Sequence, residues 1–428
     1  MRSSRERPLF TRRGVALIAV AAVLAILTAT TMQFRYQTNV DYASAANARD
    51  AMRAQFLTRS VMNMSRLLIR VQKILDGKRR SLAQLGLPDV QIADFVSMLE
   101  VPICGHKDEV HDMASVAGLD TNGVKGLGID YGQCHIETFA SEDGKINLNC
   151  ANGSEPTRLA IGKQLIALTS SQAFDKLFEE RDGDGQFTDR ETFVKALIDY
   201  VDRDDAQFGT SGGAEDYGYE SLKEPYRAKN NYLDSIDELQ LARGMDDRKW
   251  DIFGPLLTIY GGCKVNVSAV NNPLQMIMLF YQAASNPNDP VLLNPVKLIL
   301  LAQRAAQARA LGMPFDTLQT FQQFVKDPDG GLASLAAAAT GGTSSSTSTT
   351  TSGTNALGLP TVDGLTLDIK KLQEVAWAGS RRTYRIVAAA QVGRVEKRII
   401  AVWDNDNQNQ NVTDPLYAKG AWVYWREE

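Results

Sequence analysis

From Gly14 to Phe34 the chain carries no charged residue. At ~1.5 Å per helical residue, the run from Val15 to Phe34 is long enough to cross the ~30 Å hydrocarbon core of a bilayer. A single span near the start makes the first element a helix and hangs the rest of the fold from it. Arg2, Arg5, Arg7, Arg12 and Arg13 stand against Glu6 in the preceding segment. By the positive-inside tendency this places the N-terminus in the cytoplasm and everything after Arg35 outside the inner membrane.

An ordinary secretory signal has a shorter apolar region, followed by small residues that set the cleavage site. Here the clear cleavage-like feature, Arg12-Arg13-Gly14, lies before the apolar run. Cutting between Gly14 and Val15 would remove the positive leader and keep the helix. That is the logic of a type IV prepilin, whose helix stays in the membrane and later packs into a filament. A plain uncleaved signal anchor needs only the basic flank and the apolar run, and these residues alone leave it open.

At 428 residues and 44% hydrophobic the chain can bury a substantial core, in two or more units. Its formal net charge is −4, and removing a leader with five Arg and one Glu would take it to −8. This is a poor electrostatic footprint for nucleic acid. The four cysteines, Cys104, Cys134, Cys150 and Cys263, favour disulfides in an oxidising compartment, with three pairings open. Cys104 with Cys134 and Cys150 with Cys263 is the favoured pairing, the second because KINLNC and CKVNV read as similar short strands. His106, His111 and His135 lie near the first two cysteines, so zinc is the alternative there, at a spacing that matches no standard ligand pair.

Leu57, Val61, Met64, Leu68, Val71 and Leu75 recur at spacings of four and three, which puts them on one helical stripe. With Gly77 as a stop signal, one helix over 15–76 is expected, with 15–34 in the membrane. Residues 78–150 are mixed: YGQCHIETFAS and GKINLNC have strand character, with a turn signal at Asp143-Gly144. Residues 151–262 read as helical and polar with long loops, and VNV at 265–267 returns to strand. Apolar helices follow, among them LQMIMLFYQAA and a segment with Asn294 as N-cap, Pro295 in the first turn and Gly312 after its end. Residues 329–356 are rich in Gly, Ser, Thr and Ala and read as a flexible linker. RTYRIVAAAQVG and VEKRIIAVWD predict an antiparallel hairpin across Gly393-Arg394, with GAWVYWREE as a third strand.

The sharpest local motif is EERDGDGQFTDRE, Glu179 to Glu191. With Glu180 at loop position 1, Asp182, Asp184, Gln186 and Glu191 fall at positions 3, 5, 7 and 12, and Gly185 at the tight turn, which is the register of an EF-hand calcium loop. Gln186 would give its backbone carbonyl and Glu191 both carboxylate oxygens. Position 1 is usually Asp, and a solvated acidic turn is the alternative. A second acidic cluster follows, with Asp199, Asp202, Asp204, Asp205, Glu215 and Asp216. Hard cations prefer such oxygen donors, and Gly212-Gly213 would let the loop turn them inward. Enzyme signatures are missing: there is no GxSxG, no HExxH and no phosphate-cradling Gly-Lys-Ser/Thr loop, and only three histidines.

These pieces together resemble one family over nearly the whole length, the minor pseudopilin K (GspK) of bacterial type II secretion systems. The residues that carry the resemblance are Arg13-Gly14 before Val15-Ala16-Leu17, EDGKINLN at 142–149 and ALIDYVDRDD at 196–205. It continues in GGAEDYGYESLKEPYRAKNNYLDSIDELQLARGM at 212–245, KVNVSAV at 264–270, and the closing hairpin with VYWRE. Pseudopilins carry Glu five residues into the mature chain; here that position is Ala19, and the K subunit characteristically lacks the Glu, as suits a subunit with nothing stacked above it.

The resemblance implies an α+β fold: a long N-terminal helix against an antiparallel pseudopilin sheet, with a large all-α domain inserted between strands. The expected division is a leader (1–14), the long helix (15–76) and a first part of the α/β domain (77–154). A helical insert (155–260), a second part with helices (261–328), the linker (329–356) and closing strands (357–428) follow. It also implies calcium in the insert, at Asp202, Asp205, Glu215 and Asp216. The implied role is at the tip of the pseudopilus, initiating assembly, limiting length and supporting export of folded exoproteins. Implied partners are the minor pseudopilins I and J, with H as a further candidate, the major pseudopilin, the assembly platform and the inner membrane. The resemblance does not extend to the EF-hand-like loop or the linker. The competing expectations are a minor pilin of a type IV pilus and a membrane-anchored helix-hairpin-helix DNA-uptake protein, suggested by DSIDELQLARGM before KVNVSAV; the acidic surroundings argue against the latter.

Overall fold

The structure, a computed structural model, describes residues 12–84, 91–99, 102–104, 131–182, 185–209, 219–220, 224–313, 315–340, 360–406 and 420–428. Helix α1 (Arg12–Gln84) is followed by α2 (Ile92–Leu99). Strands β1 (Pro102–Cys104) and β2 (Gln133–Ser141) come next. The chain then passes through β3 (Ile146–Asn147), α3 (Glu155–Thr169), α4 (Asp175–Glu179), α5 (Arg190–Asp199), α6 (Asp247–Phe253), β4 (Leu257–Thr258) and β5 (Val265–Asn266). Further helices are α7 (Pro273–Ala283), α8 (Pro290–Leu293), α9 (Pro295–Ala310), α10 (Leu318–Lys326), α11 (Pro328–Thr340) and α12 (Ile369–Val375). Strands β6 (Ala376–Trp377), β7 (Thr383–Val392), β8 (Val395–Asp404) and β9 (Ala421–Glu427) close it.

The main sheet has the order β1-β2-β7-β8-β9 and is antiparallel throughout. The hairpin expected across Gly393-Arg394 forms: Val392 lies opposite Val395, and Gly393 turns the chain at φ 61°. The third strand, β9, pairs with β8. Helix α1 lies on β7 and β8. Its buried face meets Ile386, Ala388, Ala390, Ile399, Ala401 and Trp403 in one core.

Two features of α1 differ from the sequence expectation. The helix runs through Gly77 to Gln84. A glycine there costs roughly 1 kcal/mol against alanine, and Asp76 offsets it locally by accepting from Gln72 Nε2 (2.8 Å) and Arg79 Nη2 (3.1 Å). The buried stripe is also rotated from the expected one. Ala54, Leu57, Thr58, Val61, Met62, Ser65, Ile69 and Gln72 face the sheet, whereas Met64 and Val71 are exposed. Thr58 and Ser65 satisfy their hydroxyls on the carbonyls of Ala54 (2.7 Å) and Val61 (3.0 Å). These small, satisfied side chains let the helix backbone approach the sheet, so polarity hid the true face.

Strands β2 and β7 are hydrogen-bonded neighbours, yet residues 142–382 run between them. The expected turn at Asp143-Gly144 does occur, but the flanking segments do not pair with each other: β2 pairs with β7, and β3 pairs in parallel with β4. The excursion forms its own core, from Ile146 to Ala376. It is therefore larger than the expected insert of 155–260 and takes in helices of the 261–328 segment, such as α7 and α9, together with Leu365, Leu367 and Leu372. The expected linker at 329–356 also begins later. Residues 328–340 are the helix α11, its Leu332 buried. Asp329 is held there by Arg304 Nη1 at 3.2 Å and by the N–H of Val362 at 3.0 Å. The remainder of that segment, 341–356, lies outside the described residues. Asn294 caps α9 as expected, accepting from Val296 N (3.0 Å) and Lys297 N (3.3 Å), and Gly312 follows its end at φ 87°.

Candidate functional site

The neck of the excursion sets where everything else sits. Glu142 is fully buried at the end of β2 and accepts from Lys145 Nζ (2.9 Å), Arg385 Nε (2.7 Å) and the Thr258 hydroxyl. Burial alone would raise its pKa; the charges of Lys145 and Arg385 outweigh this and hold it below the usual value. Asp143 accepts from the backbone N–H groups of Arg382 and Thr383, and burial pushes its pKa up in spite of them. Gly144 is required beside it: a Cβ there would stand 2.6 Å from the Ala269 carbonyl oxygen. Cys150 and Cys263 join across the neck with Cα atoms 5.6 Å apart, and Cys104 bonds to Cys134 with Cα atoms 4.9 Å apart. This is the pairing favoured from the sequence. It also spends the sulfurs of Cys104 and Cys134, which removes them from the zinc alternative. His135 is on the surface, 4.0 Å from Glu137, and His106 and His111 lie outside the described residues.

The acidic cluster starts at the end of α5, a helix capped by Asp189 through the N–H of Thr192 at 2.7 Å. Asp199 is buried and accepts from the N–H of Phe208 at 2.7 Å. Asp202 is fully buried, and both its carboxylate oxygens lack a hydrogen-bond partner. Arg158 Nη1 stands 3.0 Å from its Oδ2, but hydrogen-bonds instead to Asp204 at 2.6 Å. The contact to Asp202 is thus electrostatic without hydrogen-bond geometry. Asp205 is exposed and accepts from Asn230 Nδ2 at 3.3 Å. Asn152 donates to the carbonyl of Val201, and its own Oδ1 is unsatisfied.

Burial raises Asp202 to about 7, with the charges of Asp204 and Asp199 adding to it against Arg158. Burial raises Asp199 to about 6, partly countered by the Phe208 N–H. A buried carboxylate short of partners, among like charges and hard oxygen donors, fits a bound cation of the calcium type. Glu215 and Asp216, the other two expected ligands, lie outside the described residues. Among the described residues no group of three or more His, Cys, Asp or Glu side chains is placed to share one ion.

The EF-hand-like loop is arranged differently from its expectation. Glu180 Oε2 takes Arg248 Nη1 at 2.7 Å, and Glu191 pairs with Lys195 at 2.8 Å. Asp182 uses both oxygens inside the loop, Oδ1 for the N–H of Gln186 (2.8 Å) and Oδ2 for the Thr188 hydroxyl (2.9 Å). The Gln186 carbonyl, expected as a ligand, accepts from the N–H of Asp182 at 2.8 Å. The turn at Gly185 has φ 74°. Glu180, Asp182 and Glu191 are not brought together, and Asp184 lies outside the described residues.

Sequence reading missed Asp94, Glu142, Asp143 and Lys249. Glu142 and Asp143 sit in EDGKINLN, a motif already noted. Asp94 and Lys249 have partners far along the chain and carry no local signal.

By length and composition α1 is, among the described residues, the one helix able to cross a membrane, and its apolar window is wholly exposed. Residues from Arg12 through Val15 are helical, so Gly14 and Val15 lie in the first turn of α1.

Part of the excursion matches a known family. Residues 144–262 match the family model for type II secretion system (T2SS), protein K. No curated protein matches. Among solved structures, the chain is similar to one in the crystal structure of the GspK-GspI-GspJ complex from the enterotoxigenic Escherichia coli type 2 secretion system. The identity is 14%, 86% of this chain and 99% of that chain are covered, and the TM-score is 0.42. The matched family segment opens beside Asp143, two residues before β3, and closes just before Cys263, so it coincides with the part of the excursion bounded by the neck. Over residues 144–262, the chain is similar to the type II secretion system protein K family.

Proposed function

We propose that the chain acts as a minor pseudopilin at the tip of the type II secretion pseudopilus. There it starts assembly, limits filament length and supports export of folded exoproteins across the outer membrane. One observation carries this reading: the family-matched segment leaves the sheet between two paired strands, β2 and β7. A helix-and-sheet body of the kind that stacks by its helix therefore carries a second core larger than its own. A subunit built this way accepts neighbours along the helix and obstructs stacking beyond the excursion.

In this reading the leader is cytoplasmic, α1 anchors the chain in the inner membrane by its first half, and the folded body is periplasmic. A prepilin peptidase cuts between Gly14 and Val15, and the new N-terminus is methylated. Ala19 leaves out the acidic group that would pair with a subunit above. The partners are the minor pseudopilins I and J, with H and the major pseudopilin as further neighbours, and the assembly platform. The body works by binding and blocking and performs no catalysis.

Calcium belongs to this reading at the acidic cluster. Asp202 and Asp205, with Glu215 and Asp216, would hold it, and the ion would engage the carboxylate oxygens of Asp202 that accept no hydrogen bond, beside the charge of Arg158. Arg158 and Asn230 position this end of the cluster through Asp204 and Asp205. The test is filament length in a secreting host: loss of this chain should give longer or unbounded pseudopili and impaired export. Filaments of unchanged length with normal export would overturn the proposal.

A further inference from the structure

The loop at 180–191 has the sequence of a calcium loop, but the carboxylates of Glu180, Asp182 and Glu191 are already engaged within the protein. Lys249, in α6, is almost completely buried. Its ammonium lies 5.7 Å over the Phe178 ring and 5.8 Å over the Phe193 ring, one ring on each helix flanking the loop. It stands 3.7 Å from Asp246 Oδ2 without a hydrogen bond, and Asp246 and Asp182 are the two carboxylates that act on it. Arg248, next to it, binds Glu180 through Nη1 and reaches the Arg181 carbonyl through Nη2 at 3.4 Å. The same segment presses on the loop mechanically: at Gly244, with φ 79°, a Cβ would lie 2.6 Å from the Thr188 methyl group.

We propose that Lys249 and Arg248 are the resident cations of this loop, so that it closes around a side-chain ammonium and guanidinium supplied by α6 and takes no metal ion. The chemistry is consistent at positions 1, 3 and 12. The carboxylate at position 1 is paired to a guanidinium. The one at position 3 is consumed by two hydrogen bonds and lies in the field of the ammonium. The one at position 12 is spent on an i,i+4 lysine at the surface. An ammonium held between two aromatic faces recovers part of its lost hydration from the ring quadrupoles. The loop thereby staples α4 and α5 to α6, and its acidic pattern serves packing. This inference is independent of calcium at the Asp202 cluster.

The test is calcium stoichiometry by isothermal titration, with calcium chloride and the full-length detergent-extracted protein. The Glu180→Gln/Glu191→Gln variant should bind the same number of ions as the parent, including none if the parent binds none; loss of one ion would overturn the proposal. Both replaced side chains are on the surface, so the variant should fold. A second variant, Lys249→Met, keeps the stem and removes the charge. It should melt below the parent in EDTA, by at least about 2 °C, and calcium should recover part of the loss. Melting at the parent's temperature in EDTA would equally overturn it.

Discussion

Asp94 and Arg381 form a two-pronged ion pair across the joint between the sheet core and the core of the excursion. Nη1 lies 2.6 Å from Oδ1 and Nη2 2.7 Å from Oδ2. Asp94 comes from α2, beside the long helix; Arg381 comes from the segment that leads back into β7. The same carboxylate faces Arg309 of α9 at 3.8 Å, and both guanidinium groups donate to the Ser268 carbonyl. One acidic side chain thus answers two buried cations. Asp94→Ala should cost about 3 kcal/mol in denaturant unfolding, because removing one partner strands the others. A loss under about 1 kcal/mol would show that the joint is held by other contacts.

The same pair sets an acid limit. Burial would raise the Asp94 pKa, but Arg381 and then Arg309 hold it below the usual carboxylate value. A depressed folded pKa means a contribution fully present above the ordinary carboxylate range and lost as pH falls through the folded value. Asp202 and Asp199 have the opposite sign. Raised to about 7 and about 6, they bind more protons folded than unfolded between roughly pH 4 and 7. Their contribution is therefore present at low pH and lost as pH rises through those values. In EDTA the excursion should lose stability from pH 4.5 to 7.5, and Asp202→Asn should flatten that slope. Thermal unfolding across pH checks both, and a slope unchanged in the variant would contradict the assignment.

The two disulfides should differ in worth. Cys150–Cys263 closes a separation of 113 residues and Cys104–Cys134 one of 30. On the chain-entropy account, losing them costs about 5 and about 3.5 kcal/mol respectively. Paired Cys→Ser variants compared by denaturant unfolding should keep that order. The reverse order would mean that the excursion's own core, not the clasp at its neck, restrains its ends.

On α1, Ile69 is buried and Ile74 is 63% exposed. Ile69→Ala should cost about 2–4 kcal/mol, and Ile74→Ala less than ~0.5 kcal/mol in the isolated subunit. Equal losses would place the sheet against a different face of the helix.

That contrast marks where sequence reasoning reached its limit. The helix itself, the β7–β8 hairpin and the cap at Asn294 were legible because each rests on local signals: an apolar run, alternation with a glycine turn, an Asx cap. The face of α1 was not, because Thr58, Ser65 and Gln72 line it and an apolar template passes over them. Gln72 is buried to accept the N–H of Ile92 at 2.7 Å, a partner invisible at helical spacing. The extent of the excursion was hidden because β2 and β7 are far apart in sequence. The loop at 180–191 shows the converse: its ligand pattern is real as a pattern, but whether carboxylates meet a metal or an arginine depends on Arg248 and Lys249, brought in from α6. At the second cluster, crowded acids pointed to Asp202 because burial there is set by α5, a neighbour in sequence.

We propose above that this chain is processed as a prepilin and enters a filament by its helix. The mature N-terminus of the membrane-extracted protein, read by intact mass and terminal peptide sequencing, tests it most directly. The account predicts a chain beginning at N-methylated Val15. A retained arginine-rich leader, in a host with an active prepilin peptidase, would contradict it and leave a membrane-anchored binding protein in its place.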